Sequence, residues 1–387
     1  MKKIKLGDVC EILNGFAFKS ENYVGSGIRV IRISNVQKGY IEDNTPAFYP
    51  LETKGLEKYM LKEGDILISL TGNVGRVAIL EKEFMPAALN QRVACLRLKT
   101  DKLSKRYLFH ILNSDFFEKQ CIQYSKGVAQ KNMSTAWLKD YEILLYSKEQ
   151  QELIADILDE MHLIKKLRYY ELQKLDELVK ARFVEMFGDP VENTMNWPEI
   201  FIGDKCFVTK LAGFEYTQYI DYEESGEVVM VKAQNVKNGK LNRKDLSFIS
   251  KKVSDSLPRS QLAPGDVVMT YVGANIGDVA VIDDVYKYHL APNVAKIRPN
   301  AEVYNSIYFM YMLMLLNIYI VKNSADTAKA ALGMERIRKL KVFIPPLELQ
   351  NQFASFVEEI DKSRSRIQKS LEASQELFDS LMQEYFG

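Results

Sequence analysis

The chain is poor in the residues that most often carry chemistry. Three histidines, four cysteines and two tryptophans are spread over 387 residues. Cys10, Cys95, Cys121 and Cys206 form no CxxC pair and no metal-ligand spacing with His110, His162 or His289. Neither a metal centre nor a structural disulfide is expected, and the thiols read as free and mostly buried in a reducing cytoplasm. No GxxxxGK[ST] loop, no strand–GxGxxG–helix unit and no HExxH is present, which argues against NTP hydrolysis, dinucleotide binding and zinc proteolysis. The Asn/Asp-Pro-Pro-aromatic loop with which amino-methyltransferases hold a base is missing as well. His110 and His162 fall in helical patterns and His289 in a strand-like one, so all three read as packing or surface residues. No catalytic residue and no metal ligand is predicted.

Excess charge and long apolar runs are also lacking. With 52 basic and 51 acidic residues the net charge is +1, far from that of a general nucleic-acid coat. Any contact with DNA must therefore come from locally basic surfaces. The one apolar stretch of membrane-spanning length, 303–321, is interrupted by Asn305, Ser306 and Asn317, and its wholly apolar part, 307–316, is too short to cross a bilayer. It is expected to be a buried helix. Residues 1–13 lack an apolar core and do not read as a signal peptide.

What the sequence does contain is a repeat. Leu6-Gly7-Asp8 returns as Ile202-Gly203-Asp204, and Asn35-Val36 with Gly39 returns as Asn235-Val236 with Gly239. LKEGDILISLTGNVGRVAIL (61–80) returns as LAPGDVVMTYVGANIGDVAVI (262–282), and LNQRVACLRL (89–98) as LAPNVAKIRP (290–299). Residues 143–154 match 342–353, with Glu149 and Gln151 answering Glu348 and Gln350. Gly7 maps to Gly203 and Gly75 to Gly277, so the offset drifts only from 196 to 202. Five ordered blocks at a nearly constant offset mark a duplicated unit.

Each copy has the same plan. Its first two-thirds is short apolar runs punctuated by Gly, Asn, Asp and Pro, the pattern of strands and turns. The Gly72-Asn73-Val74-Gly75 turn joins two such runs and reads as a hairpin turn, not a phosphate cradle, because no helix follows it. The last third is helical. Residues 148–187 carry no proline and end at Gly188-Asp189-Pro190, a glycine C-cap with proline beyond. Residues 347–386 show apolar positions alternating by four and three once Arg364 and Ser374 are counted, which is a coiled-coil seam. Ile157, Met161, Ile164, Leu172 and Leu175 are expected to pack in that seam with Ile360, Ile367, Leu371, Phe378 and Leu381.

Candidate DNA contacts lie where matching frames carry different polar residues. Ile33-Ser34 becomes Ala233-Gln234 beside a retained Asn-Val, and Asn90-Gln91-Arg92 becomes Ala291-Pro292-Asn293. Lys126, Gln130, Lys131 and Asn132 form an amide-rich basic segment, with Lys119 and Lys139 on either side; Lys322, Lys329, Arg336, Arg338, Lys339 and Lys341 crowd the corresponding place. Lysines suit phosphates, whereas Arg, Asn and Gln can read base edges. The candidates are Arg32, Ser34, Asn90, Gln91, Arg92, Lys126, Gln130, Lys131 and Asn132 in the first copy. In the second they are Lys232, Gln234, Asn275, Asn293 and Lys329. Drift in a solvated loop would produce similar differences at any one of these positions.

The whole chain resembles the specificity (S) subunit of a type I restriction–modification enzyme. The matching motifs are GDVCEILNG (7–15), RISNVQKG (32–39), EGDILIS (63–69), ALNQRVACLRL (88–98), ARFVEMFGDP (181–190) and IPPLELQNQ (344–352). The first copy departs at Leu145-Tyr146-Ser147-Lys148, where the second has Pro345-Pro346. The resemblance implies an α+β fold: two repeated strand-rich target-recognition domains (1–147 and 189–345) separated by two long helices (148–188 and 346–387) forming an antiparallel coiled coil. A forty-residue helix would span ~60 Å, enough to set the readers more than one DNA turn apart. It further implies a non-catalytic reader of a split site in double-stranded DNA, with no cofactor of its own and no membrane association. Two methyltransferase (M) subunits would bring S-adenosylmethionine, and restriction (R) subunits ATP and Mg. Three alternatives stay open at this stage: the same architecture in another methylation-linked defence system of type IIB-like organisation, a coiled-coil adaptor that never touches DNA, and an enzyme with an unfamiliar site.

Overall fold

Ile66, Leu67 and Ile68 form a strand buried on both faces. Ile66 and Ile68 enter a core shared with helices, and Leu67 enters a second core. Val267, Val268 and Met269 repeat this division. Burial on both faces explains why these runs are uninterruptedly apolar instead of alternating.

The computed structural model describes residues 2–125, 132–317, 319 and 331–387. It divides into one compact unit of Met1–Tyr169 with Lys369–Gly387 and a second of Tyr170–Gln368. The first contains β1 (Lys2–Lys5), β2 (Cys10–Asn14), β3 (Ile28–Ile31), β4 (Phe48–Tyr49), β5 (Ile66–Ser69), β6 (Val77–Ile79), β7 (Ala87–Leu89), β8 (Val93–Leu98) and β9 (Glu142–Leu145). They form the sheets β2-β8-β5-β6, β4-β3-β7 and β1-β9. The second contains β10 (Glu199–Phe201), β11 (Cys206–Lys210), β12 (Val228–Val231), β13 (Val236–Lys237), β14 (Lys240–Leu241), β15 (Ser247–Ile249), β16 (Gln261–Leu262), β17 (Val267–Thr270), β18 (Val279–Val281), β19 (Lys287–Leu290), β20 (Val294–Pro299) and β21 (Lys341–Phe343). Its sheets β11-β20-β17-β18, β15-β12-β19-β16 and β10-β21 repeat the first plan. Even the unusual pairing recurs: β3 runs parallel to β7, and β12 to β19.

The residues shared by the two copies hold this frame. Asp65 accepts from the Lys62 backbone N–H at 2.8 Å and takes two hydrogen bonds from Arg97, 2.9 and 2.6 Å. Asp266 does the same with Ala263 at 2.8 Å and Arg298 at 2.6 and 2.7 Å. Gln151 is fully buried, accepts from the Ser104 N–H and donates to the carbonyls of Lys102 and Tyr146. Gln350 makes the corresponding three bonds with Asn305, Val303 and Pro345. A buried amide that satisfies three backbone groups is costly to replace. The apolar stretch at 303–321 supplies the helix Ser306–Leu315, which lies in the second unit's core, and among the described residues no helix is long and apolar enough to cross a membrane.

The long helices span Lys148–Phe187 and Leu347–Phe386. Gly188 stops the first with φ +80°, a conformation costly for any residue with a Cβ. Within the second unit the helices run antiparallel: Arg364 binds Asp176, while Phe353 packs against Phe183 with ring centroids 5.4 Å apart. Within the first unit Lys165 lies over Phe378, 4.6 Å from the ring centroid. Leu371 is buried, as is Met161, and Ile157, Leu172, Leu175, Ile360, Ile367, Phe378 and Leu381 are half-buried. Ile164 departs from the expected packing, being 41% exposed. The inward stripe of the first helix runs through Leu158, Met161 and Val179, which are buried, and Lys165, Arg168, Leu172 and Leu175, which are half-buried, by steps of three and four. Ile164 lies one position beside that stripe, and the Lys165 stem covers the ground expected of it. Leu158 is fully buried, although the periodicity alone favours Ile157 beside it.

Candidate nucleic-acid interface

In the first unit, loops gather where β2 and β5 end and β8 begins. Asn14 lies opposite Ala94, and Ser69 opposite Val93. The 90–92 loop is anchored there on three sides: the Asn90 N–H donates to Ile31 O at 3.2 Å, the Gln91 N–H to Phe16 O at 2.9 Å, and Arg92 O accepts from Leu70 at 2.9 Å. The approach is so close that a Cβ on Gly15 would stand 2.2 Å from the Asn90 carbonyl, which only glycine avoids. Asn132 bridges to Thr71 at the same end, and the Met133 N–H donates to Leu70 O at 2.8 Å. Residues 31–35, 70–75, 90–92 and 132–133 thus form one rim.

The second unit builds the same rim. The Ala291 N–H donates to Val231 O at 3.2 Å, the Tyr271 N–H to Asn293 O at 2.9 Å, and the Leu332 N–H to Tyr271 O at 2.8 Å. Asn35 and Asn235, both buried, shape the turn that each rim shares. The Asn35 Oδ1 accepts from the Arg32 N–H at 2.9 Å, and its Nδ2 donates to Glu42 O at 2.8 Å. For Asn235 the partners are the Lys232 N–H at 3.0 Å and Asn242 O at 2.9 Å. The retained asparagine is therefore scaffold, and the varying residue before it, Ser34 or Gln234, is exposed.

The candidates divide by what their side chains do. Ser34, Gln91, Arg92 and Asn132 in one rim, and Gln234, Asn275 and Asn293 in the other, are exposed. Arg32 and Lys232 are half-buried tethers: the Arg32 guanidinium donates to the Thr45 carbonyl, and the Lys232 ammonium to Ser247 Oγ at 2.9 Å. Asn90 spends its Oδ1 on the Arg92 N–H at 3.2 Å. Lys126, Gln130, Lys131 and Lys329, like Lys322, lie outside the described residues. Lys139 and Arg338 belong to the opposite end of the units. Each stands beside the glycine that precedes its first long-sheet strand, Gly7 or Gly203, and Arg338 donates to Val208 O at 2.9 Å. Lys341 pairs with Glu199 at 3.4 Å.

Several rim residues escaped the sequence reading. Arg76 donates to Gln37 Oε1. Lys210, at the end of β11, places its ammonium 5.3 Å from the Tyr271 ring centroid, and the Tyr222 ring centroid lies 5.9 Å from the ammonium of the candidate Lys232. These arise from residues distant in sequence, so spacing gave no sign of them. The four cysteines are free and buried, and burial pushes the Cys10 and Cys206 thiols up to about 12. Among the described residues no group of three or more His, Cys, Asp and Glu could hold a metal ion. Exposed amides, a guanidinium and lysines on a rigid rim can donate to phosphates and exchange paired hydrogen bonds with base edges.

A family model for the type I restriction modification DNA specificity domain matches residues 1–176 and 195–375. The chain is 23% identical over 396 residues to the specificity subunit of the type I restriction enzyme EcoBI of Escherichia coli, covering 95% of this chain and 81% of that protein. It is 30% identical over 184 residues to the MjaVIII specificity subunit of Methanocaldococcus jannaschii, covering 46% and 43%. Its fold is similar to that of the type I restriction–modification S subunit from M. genitalium, with TM-score 0.58, 15% identity and coverage of 100% and 96%. A chain from a structural study of complex assembly and conformational transition of the type I R-M system gives TM-score 0.62 at 16% identity, with coverage of 100% and 97%.

Proposed function

Because the chain belongs to the family of type I restriction–modification DNA specificity subunits, we propose that each of its two units reads one half of a split site in double-stranded DNA. The observation that carries this reading is the pair of rims. They share one backbone frame, fixed by Asn35 and Asn235, yet expose Ser34, Gln91 and Arg92 in one and Gln234 and Asn293 in the other. A common frame with different exposed donors is what two readers of different sequences require.

The chain performs no chemistry in this reading and binds no cofactor. It works in the cytoplasm as a scaffold, and the exposed faces of the long helices dock two methyltransferase subunits, with restriction subunits joining them. S-adenosylmethionine on the methyltransferase subunits supplies the methyl group, and ATP with Mg serves the restriction subunits. The residues of this chain bind and orient DNA: Arg92 and the amides address base edges, while lysines such as Lys210 neutralise phosphates.

The test is methylation mapping of DNA from cells expressing the chain with its partner subunits. Gln91→Ala and Asn293→Ala should each relax base preference in a different half-site, because a good bidentate contact is worth about 1–3 kcal/mol of discrimination. An unchanged motif in both variants would refute the reading.

A further inference from the structure

Phe214 stands out against its counterpart in the other unit. The first long-sheet strand of each unit is followed closely by Gly-Phe: Gly15-Phe16 after β2, and Gly213-Phe214 after β11. Phe16 is folded inward, with ring centroids 5.1 Å from Phe18 and 5.3 Å from Tyr59, and its backbone bridges to Asn90. Phe214 is turned out on the short helix Gly213–Tyr219 and is 67% exposed. It follows Lys210, whose ammonium caps Tyr271 at 5.3 Å, and Tyr271 holds Asn293 through its backbone. The second rim is therefore continued by an outward aromatic where the first rim is closed by a packed one. Tyr222, 43% exposed and beside Lys232, adds to the same edge.

A phenyl ring can neither donate to nor accept from a base edge. In the major groove the apolar feature that a ring can recognise is the thymine 5-methyl group, which phenylalanine contacts directly in base readout. We propose that Phe214 is a specificity-determining residue of the second unit, selecting a thymine in that unit's half-site by apolar contact with its methyl group. The first unit, whose equivalent ring is packed away, makes no such contact. This inference rests on the reading of the rims as DNA-reading surfaces.

The experiment uses the full chain with its partner subunits and duplexes carrying the methylated site, with each thymine replaced in turn by deoxyuridine, which removes only the methyl group. At one thymine of the second unit's half-site the replacement should weaken binding about four-fold, the worth of one methyl group taken from water. Phe214→Ala should bind the thymine and uracil duplexes equally, and Phe214→Leu, which keeps an apolar side chain, should restore part of the difference. Thermal unfolding of both variants checks that the exposed position is not needed for folding. A second half-site without thymine, or equal sensitivity to uracil in wild type and Phe214→Ala, would overturn the inference. Asn293→Ala separates the two levels of the argument. If it relaxes the motif and Phe214→Ala does not, only this inference fails; if neither does, the reading of the rim fails with it.

Discussion

Lys232 reaches across to Ser247, its ammonium 2.9 Å from Oγ, and occupies the place that Arg32 fills against Thr45 in the other unit. The contact ties the turn before Asn235 to strand β15 and holds Gln234 outward. Lys232→Met should therefore cost ~1 kcal/mol of stability, a fall of about 2–4 °C in melting temperature for a unit of this size. Gln234→Ala, by contrast, should leave the melting temperature unchanged and relax one base position. Thermal unfolding and motif mapping of both variants check this; the opposite assignment would make Lys232 the base reader.

Leu371 and Ile164 provide a paired test of the helix seam. Leu371 is 5% exposed and Ile164 41%. Burying a side chain of this size contributes about 1.5–3 kcal/mol, and a buried unpaired carboxylate adds a further penalty. Leu371→Asp is expected to lower the urea midpoint sharply, while Ile164→Asp should stay within about 0.5 kcal/mol of wild type. Equal losses would mean that Ile164 is packed after all.

Two histidines make stability depend on pH. Burial lowers the pKa of His289, whose Nδ1 donates to Leu290 O at 3.0 Å, and burial lowers that of His110 against the opposing pull of Asp159, 2.7 Å away. Both are therefore held neutral in the fold more strongly than in the unfolded chain, which takes up protons first as pH falls. Their contribution is complete above about pH 6.5 and is lost below it, with a limiting slope of about 1.4 kcal/mol per pH unit for each group. Unfolding midpoints measured between pH 7.5 and 5 should fall with pH, and His289→Gln should flatten the dependence. A dependence unchanged by both His289→Gln and His110→Gln would contradict this account.

Much of the frame was legible because it is written twice. The Gly-Asp turns, the Asn-Val pair and the Gln151 and Gln350 positions recur at a nearly constant offset, and each is a hydrogen-bonded joint of the fold. The continuous apolar strands and the glycine stop at Gly188 could be read from local chemistry alone. The seam was legible in its period but not in its phase at Ile164, because the long stem of Lys165, lying over the Phe378 ring, takes the place that the spacing assigned to its aliphatic neighbour. The rim was half legible. Exposed Ser34, Gln91 and Gln234 stood out by substitution within a shared frame, whereas the tethers of Arg32 and Lys232 and the lysine–tyrosine contacts join residues far apart in sequence. The basic residues at 338–341 illustrate the converse: charge density pointed to them, yet Arg338 and Lys341 are engaged with Val208 and Glu199 at the far end of the unit.

The central claim is that the two units read independently, and exchanging residues 1–147 for the matching segment of a relative with a different motif tests it most directly. The hybrid would be expressed with its partner subunits and its methylated motif mapped across genomic DNA. Replacement of one half-site with the other retained is the predicted result. A change in both half-sites, or in neither, would contradict it.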